Sequence, residues 1–145
     1  MIREMRHVGI VVRDMDRNLR FWRDVMGLKV AADFWEQGEF IETVQALRGV
    51  KLHMIKLTAP DESMVELLHD EGHPTEAPER NALCDRGIRH IAFTVADVEA
   101  AWHTMVAEKC EVLSKPVSSP DRKARLFFAR DPEGNLLELV EMLKQ

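Results

Sequence analysis

The sequence contains an internal repeat, which restricts the fold to two similar half-units. Residues 7–14 align with residues 90–97 at an offset of 83, without a gap. Residues 60–68 align with residues 132–140 at an offset of 72. The repeat places two imidazoles at equivalent points and two carboxylates at equivalent points: His7 with His90, and Glu66 with Glu138. Two half-units with the same polar residues at the same places suggest one shared site.

Hydrophobic periodicity predicts the same order of elements in each half-unit. Val8, Ile10 and Val12 alternate as in a strand, and Asp14 or Asp16 then caps a helix. The further predicted elements are a short helical turn at 41–47, strands at 28–35, 50–57, 64–68, 88–95, 123–129 and 135–142, the start of a strand at 111–113, and a second helix that Asp97 caps. The order is βαβββ twice, an α+β fold with helices on one side of curved mixed sheets.

The length of 145 residues predicts one domain, which comprises half-units 1–70 and 88–145. Residues 71–87 form the predicted linker between them, a polar segment that contains Gly72, Pro74 and Pro78. A connection of this length is unusual in a compact domain. We therefore expect it to cross the surface or to cover a site.

Composition excludes several classes of function. The net charge of −5 and the absence of a dense Lys/Arg block argue against nucleic-acid binding. No apolar stretch approaches the roughly 18 residues of a membrane span, and the first residues lack the apolar core of a signal peptide. Cys84 and Cys110 form no CxxC pair. We therefore expect a cytoplasmic protein in a reducing compartment.

The two glutamates predict a metal site. Strand alternation places His7, Glu66, His90 and Glu138 on the sheet faces opposite the helices. Each glutamate is flanked by apolar residues, and a buried carboxylate requires a cation partner. The alternative is that each carboxylate faces water on a half-exposed sheet. Two neutral imidazoles and two carboxylates would cancel the charge of one divalent ion, with Zn, Ni, Co, Mn or Fe(II) as candidates.

Five segments resemble the vicinal oxygen chelate superfamily, which is also called the glyoxalase/bleomycin-resistance/dioxygenase group. They are residues 7–14, 21–28, 64–69, 90–95 and 131–139. The resemblance covers nearly the whole chain and implies the glyoxalase-like fold. It also implies that His7, Glu66, His90 and Glu138 bind one divalent metal ion. Members of the superfamily commonly form homodimers, and their small-molecule substrates typically chelate the metal through oxygens.

A ligand set of His, Glu, His and Glu resembles that of the lactoylglutathione lyases and methylmalonyl-CoA epimerases. That resemblance implies a lyase or isomerase that removes a proton beside a carbonyl and stabilises the enolate. Glu138 and Glu66 are the candidate bases, and an anionic thioester or a hemithioacetal is the implied substrate. The epimerases carry a further acidic base where this chain has Arg48; Glu39 or Glu42 could replace it. The sequence shows no clear glutathione-binding set.

Two alternatives remain open. Extradiol dioxygenases resemble this fold but use two histidines and one carboxylate, generally with a supporting tyrosine, and this chain has no tyrosine. Other superfamily members only sequester a drug and usually lack the metal ligands. Several residues are candidates to shape a pocket on the metal-binding face: His53 and Arg125 at repeat-equivalent positions, Arg48, Arg89 and Lys123 for an anionic substrate, and Trp35 and Phe40 as a roof or as core residues.

Overall fold

A computed structural model describes residues 1–76 and 80–143 of the chain. The predicted linker lies partly outside this description, because residues 77–79 are not included. The chain divides into two compact units, Met1–Ala77 and Pro78–Gln145. Among the described residues, no helix has the length and apolar character needed to cross a membrane.

The first unit contains one four-stranded mixed sheet and two short helices. Its elements are β1 (Val8–Val11), α1 (Met15–Arg20) with a π-helical continuation (Phe21–Val25), β2 (Lys29–Gln37), α2 (Glu39–Gln45), β3 (Lys51–Thr58) and β4 (Met64–Asp70). The strand order is β1-β4-β3-β2. β1 runs parallel to β4, and the other neighbours are antiparallel.

The second unit repeats this topology. Its elements are β5 (His90–Thr94), α3 (Val98–Ala107), β6 (Val117–Ser118), β7 (Ala124–Arg130) and β8 (Leu136–Met142). The strand order is β5-β8-β7-β6, and β5 is parallel to β8. The predicted α+β fold of tandem βαβββ modules is therefore confirmed.

One predicted strand is wrong. Residues 111–113 do not begin a strand; Val112 makes only an isolated bridge to Ala129. The edge strand β6 comes later and has two residues. The ladder is interrupted between Val112, which faces Ala129, and Val117, which faces Leu126, because more residues separate the first two than the second two. Pro116 lies in this interruption. Regular pairing starts at Val117, directly after the proline.

Repeat-equivalent aspartates start the main helix of each unit. The carboxylate of Asp14 accepts the backbone N–H of Arg17 at 2.9 Å, and that of Asp97 accepts the N–H of Ala100 at 2.9 Å. Asp14, not Asp16, is thus the N-cap of α1. Such caps satisfy N–H groups that have no partner inside the helix. The first helix ends before Gly27, whose φ of 78° suits glycine.

Each sheet buries the face on which its helix packs. α1 contacts β4 in the first unit, and α3 contacts β7 and β8 in the second. Residues on these faces are almost fully buried: Ile55, Leu57, Val65 and Leu67 in the first unit, and Phe127, Ala129, Leu137 and Leu139 in the second. The strands alternate, so the residues between these positions lie on the opposite face. Glu66 and Glu138 are among them.

The turn that leads into β8 is organised by one buried carboxylate. Asp131 accepts the backbone N–H groups of Glu133 and Asn135 and the side-chain amide of Asn135. Burial raises the pKa of Asp131, although these hydrogen bonds oppose the rise. The native protein therefore keeps this proton to a higher pH than the unfolded chain does. The proton-linked part of its contribution to stability is present below the ordinary pKa of an aspartate and is lost as the pH rises through the raised native pKa. The hydrogen bonds that the carboxylate accepts remain at neutral pH.

We expect Asp131→Ala to lower the free energy of unfolding by about 2 kcal/mol, because it leaves several N–H donors of the turn without their acceptor. Urea denaturation at neutral pH measures this loss. Asp121→Ala is the matched control, since Asp121 is an exposed turn carboxylate that accepts one backbone N–H. A loss no larger than that of the control would contradict the role given to Asp131.

Candidate metal centre

The first unit brings His7 next to Glu66. In the parallel pairing of β1 with β4, Gly9 lies opposite Glu66. His7 precedes Gly9 by two residues and lies immediately before β1. Nε2 of His7 lies 3.3 Å from Oε2 of Glu66. Glu66 is buried, with 7% of its surface exposed, so its charge depends on protein partners for compensation.

The second unit repeats the arrangement. Ala92 lies opposite Glu138 in the pairing of β5 with β8. Nε2 of His90 lies 3.3 Å from Oε2 of Glu138, the same separation as in the first unit. The residues opposite the two glutamates, Gly9 and Ala92, are both small.

The two pairs have the chemistry and spacing of adjacent metal ligands. An imidazole nitrogen and a carboxylate oxygen bind a first-row divalent ion at about 2.0–2.2 Å. When two such ligands make an angle of about 90–109° at the ion, their donor atoms lie roughly 3.0–3.4 Å from each other. The observed 3.3 Å falls in this range in both units. Each pair could therefore supply two neighbouring ligands to one ion after a small adjustment.

The structure brings the four sequence-predicted residues together as two pairs, each within one unit. In the described parts of the chain, no group of three or more His, Cys, Asp or Glu side chains is arranged to hold a metal ion. Each unit thus presents a half-site with one nitrogen and one carboxylate.

Lys56 distinguishes the first half-site from the second. It lies directly across from Glu66 in the pairing of β3 with β4, and its Nζ is 3.5 Å from Oε1 of Glu66. The corresponding neighbour of Glu138 is Phe128, whose ring meets that of His90 edge-on with centroids 5.4 Å apart. Both oxygens of Glu66 therefore have a nitrogen nearby. Glu138 instead has an imidazole on one side and an aromatic ring on the other.

Sequence analysis did not single out Lys56, although a signal was available. The offset of 72 that aligns Glu66 with Glu138 also aligns Lys56 with Phe128. A lysine at the position where the other half-unit has an aromatic residue marks a point at which the two halves differ in charge. Only the strand pairing shows that this point lies beside a metal-ligand candidate.

The pocket positions suggested for His53 and Arg125 are wrong. The register places His53 with Ile55 and Leu57 on the helix-side face of its sheet. Its ring stacks on Trp35, and its Nε2 lies 2.7 Å from an oxygen of Asp33.

Arg125 likewise lies on the helix side, where it forms an ion pair with Glu99 of α3. Trp35 is half exposed and belongs to the same face as His53, so it is not a core residue. Phe40 is exposed on α2.

The suggested substitute bases have other environments. Glu42 accepts the backbone N–H of Gly49 at 2.8 Å and so ties α2 to the turn before β3. Glu39 and Arg48 are exposed. Glu42 therefore has a structural contact that accounts for its carboxylate.

Comparison with known proteins relates the chain to one family. The model of the Glyoxalase/Bleomycin resistance protein/Dioxygenase superfamily matches residues 4–139. A lactoylglutathione lyase from Schizosaccharomyces pombe is 31% identical over 145 residues, covering 94% of this chain and 47% of the lyase. The chain thus spans about half the length of that relative. The uncharacterized protein YaeR from Escherichia coli is 26% identical, with 97% of each chain covered.

Solved structures agree with this relationship. A glyoxalase family protein from Bacillus cereus superimposes with a TM-score of 0.90 at 26% identity, covering 99% of this chain and 97% of the other. The trypanothione-dependent glyoxalase I of Leishmania major shares the fold, with a TM-score of 0.68 at 23% identity and coverage of 97% and 87%. The chain belongs to the Glyoxalase/Bleomycin resistance protein/Dioxygenase superfamily.

Proposed function

We propose that the protein is a divalent-metal-dependent lyase or isomerase that abstracts a proton beside a carbonyl group. His7, Glu66, His90 and Glu138 hold one ion, with the two half-sites supplied by one chain or by two chains of a homodimer. The observation that carries the proposal is the equal 3.3 Å separation of nitrogen and oxygen in both half-sites. A ligand set shared between the two half-sites would place the same residue types at the same separation in both units, as is observed.

The bound ion would act as a Lewis acid that polarises the carbonyl and lowers the energy of the enolate. The protein's own contribution is to take up the α-proton and return it to the same or a neighbouring carbon. A base for this step must reach the substrate and be free to accept a proton.

Glu138 fits the role of base better than Glu66. Its side chain is 21% exposed, against 9% for Glu66. Oε2 of Glu66 lies 3.3 Å from Nε2 of His7, and its Oε1 lies 3.5 Å from Nζ of Lys56, so both of its oxygens already have a nitrogen partner. Glu138 lies beside His90 and the apolar ring of Phe128. We therefore assign Glu66 as the anchoring ligand and Glu138 as the proton acceptor.

The lactoylglutathione lyase relative supports a substrate with a carbonyl adjacent to the reacting carbon, either a hemithioacetal or a thioester. A drug-sequestering protein would not need the two His–Glu pairs. The dioxygenase ligand set consists of two histidines and one carboxylate. With that set, either Glu66 or Glu138 would have no function at the metal.

Two measurements test the proposed function. Metal analysis after loading and extensive dialysis should find a stoichiometric divalent ion. The loaded protein should then catalyse exchange of α-protons with deuterated water on an acyl-CoA ester or a glutathione hemithioacetal, and the chelated protein should not. Retention of metal without exchange on any substrate of either class would contradict the enolate chemistry. Failure to retain a metal would contradict the centre itself.

A further inference from the structure

We propose that Lys56 gives the metal centre one unbalanced positive charge and that the site therefore selects ligands with a single negative charge at their chelating oxygens. This inference rests on the proposed function, because it concerns the same centre. The observation behind it is the difference between the half-sites, Lys56 beside Glu66 and Phe128 beside Glu138.

The charge count shows the consequence. Two carboxylates balance one divalent ion, and the histidine ligands are neutral. The ammonium of Lys56, 3.5 Å from Oε1 of Glu66, adds one positive charge to this balance and leaves a net charge of about +1. Phe128 brings no charge to the other half-site. A ligand with one negative charge restores neutrality, whereas an uncharged ligand of the same shape does not.

Lys56 is held at the centre by its surroundings. Its Nζ lies 3.5 Å from Oε1 of Glu66 and 5.4 Å from the ring centroid of Phe34. Its side chain is 25% exposed, so the ammonium is partly shielded from water but remains accessible from outside. A charge in such a position interacts more strongly with a neighbouring anion than a fully solvated one does.

A metal ion at this centre would change the environment of the ammonium. The ion would withdraw electron density from Glu66, which would then attract Lys56 less strongly. The three N–H donors of lysine would be available to an oxyanion next to the ion. Lys56 would thus contact the carboxylate of the ligand or the oxygen on which negative charge develops.

A purely structural role makes a different prediction. If Lys56 served only to neutralise buried Glu66, its removal would alter stability and metal affinity without discriminating between charged and uncharged ligands. The test therefore needs two ligands of equal shape that differ by one charge. Oxamate and oxamide form such a pair, because both chelate through adjacent oxygens, and oxamate carries one negative charge.

The experiment is calorimetric titration of the zinc-loaded protein with oxamate and with oxamide. We expect the wild type to bind oxamate at least about tenfold more tightly, as one well-placed charge contact would give. Lys56→Met should lower this preference at least about threefold by weakening oxamate binding alone, and the preference that remains is that of the ion itself for a carboxylate over an amide. Lys56→Arg should retain most of it. The control is Lys51→Met, which removes an exposed lysine of the same strand and should leave the preference unchanged.

Zinc content, measured on every variant, separates the possible failures. If the wild type retains zinc but does not prefer oxamate, or if Lys56→Met keeps the full preference, the role of Lys56 is wrong and the metal centre stands. If the wild type retains no zinc, the proposed function and this inference fail together. If Lys56→Met does not fold, the preference of the wild type and its retention in Lys56→Arg decide the outcome.

Discussion

Glu138→Gln is expected to lower turnover by about 10²–10⁴-fold while leaving most of the bound metal in place. The amide oxygen can still coordinate the ion, but it cannot accept the α-proton at neutral pH. Metal content and the rate of proton exchange in deuterated water, measured on the same preparation, provide the comparison. Loss of exchange with retained metal identifies Glu138 as a residue of the chemical step.

Glu66→Gln and Glu39→Gln complete this comparison. Because Glu66 lies between His7 and Lys56, we expect Glu66→Gln to weaken metal binding more than Glu138→Gln does and to slow exchange less per bound ion. Glu39→Gln removes an exposed carboxylate and should behave like the wild type. Retention of metal and full exchange activity in both Glu66→Gln and Glu138→Gln would mean that neither is the base, and the assigned mechanism would be wrong.

His90→Ala is expected to abolish metal retention and activity together. Removal of a ligand opens the coordination shell. Loss of a residue that only supports a ligand lowers metal affinity roughly 10–100-fold. We expect loss of the ligand itself to lower the affinity further. Metal content after dialysis measures this directly. Thermal unfolding provides a second measurement. Added zinc should raise the melting temperature of the wild type, because it binds the native state, and should not raise that of the variant.

The control for this variant is His103→Ala, which removes an exposed histidine of α3. His7→Ala should repeat the effect of His90→Ala, since the two residues occupy equivalent positions. Wild-type zinc content in His90→Ala would exclude it as a ligand. An effect of His90→Ala without one of His7→Ala would restrict the ligand set to the second half-site.

Local sequence signals account for the elements and for much of the candidate site. Asp97 is a predictable cap, because a short polar side chain before an apolar periodic segment satisfies the first N–H groups of a helix. For the first helix the same signal left Asp14 and Asp16 as alternatives, and the structure has Asp14 as the cap. The period of two in a strand places His7 with Gly9, and the repeat then identifies His90 with Ala92. These inferences use only neighbouring residues and the repeat offset of 83, so they do not depend on which strands pair.

The predictions that failed depended on information that local patterns do not contain. The segment from Leu52 to Leu57 has buried apolar residues on both faces, since Leu52 packs with Ile41 of α2 and Leu57 is fully buried on the other face. Alternation therefore could not tell which face His53 occupies. The strand predicted at 111–113 failed because the edge ladder is interrupted between Val112 and Val117, and only the pairing with β7 shows that interruption.

By itself, the sequence determined the βαβββ repeat, the cap at Asp97 and the four residues proposed as metal ligands, because these follow from short-range periodicity and from equivalence between the halves. Only the tertiary structure decided what surrounds each glutamate. The pairings that place Gly9 and Lys56 opposite Glu66 join residues 57 and 10 positions apart in sequence, and hydrogen bonding between strands sets their register. The charge of the first half-site therefore follows from the register of β3 and β4, which the pattern of residues within either strand does not specify.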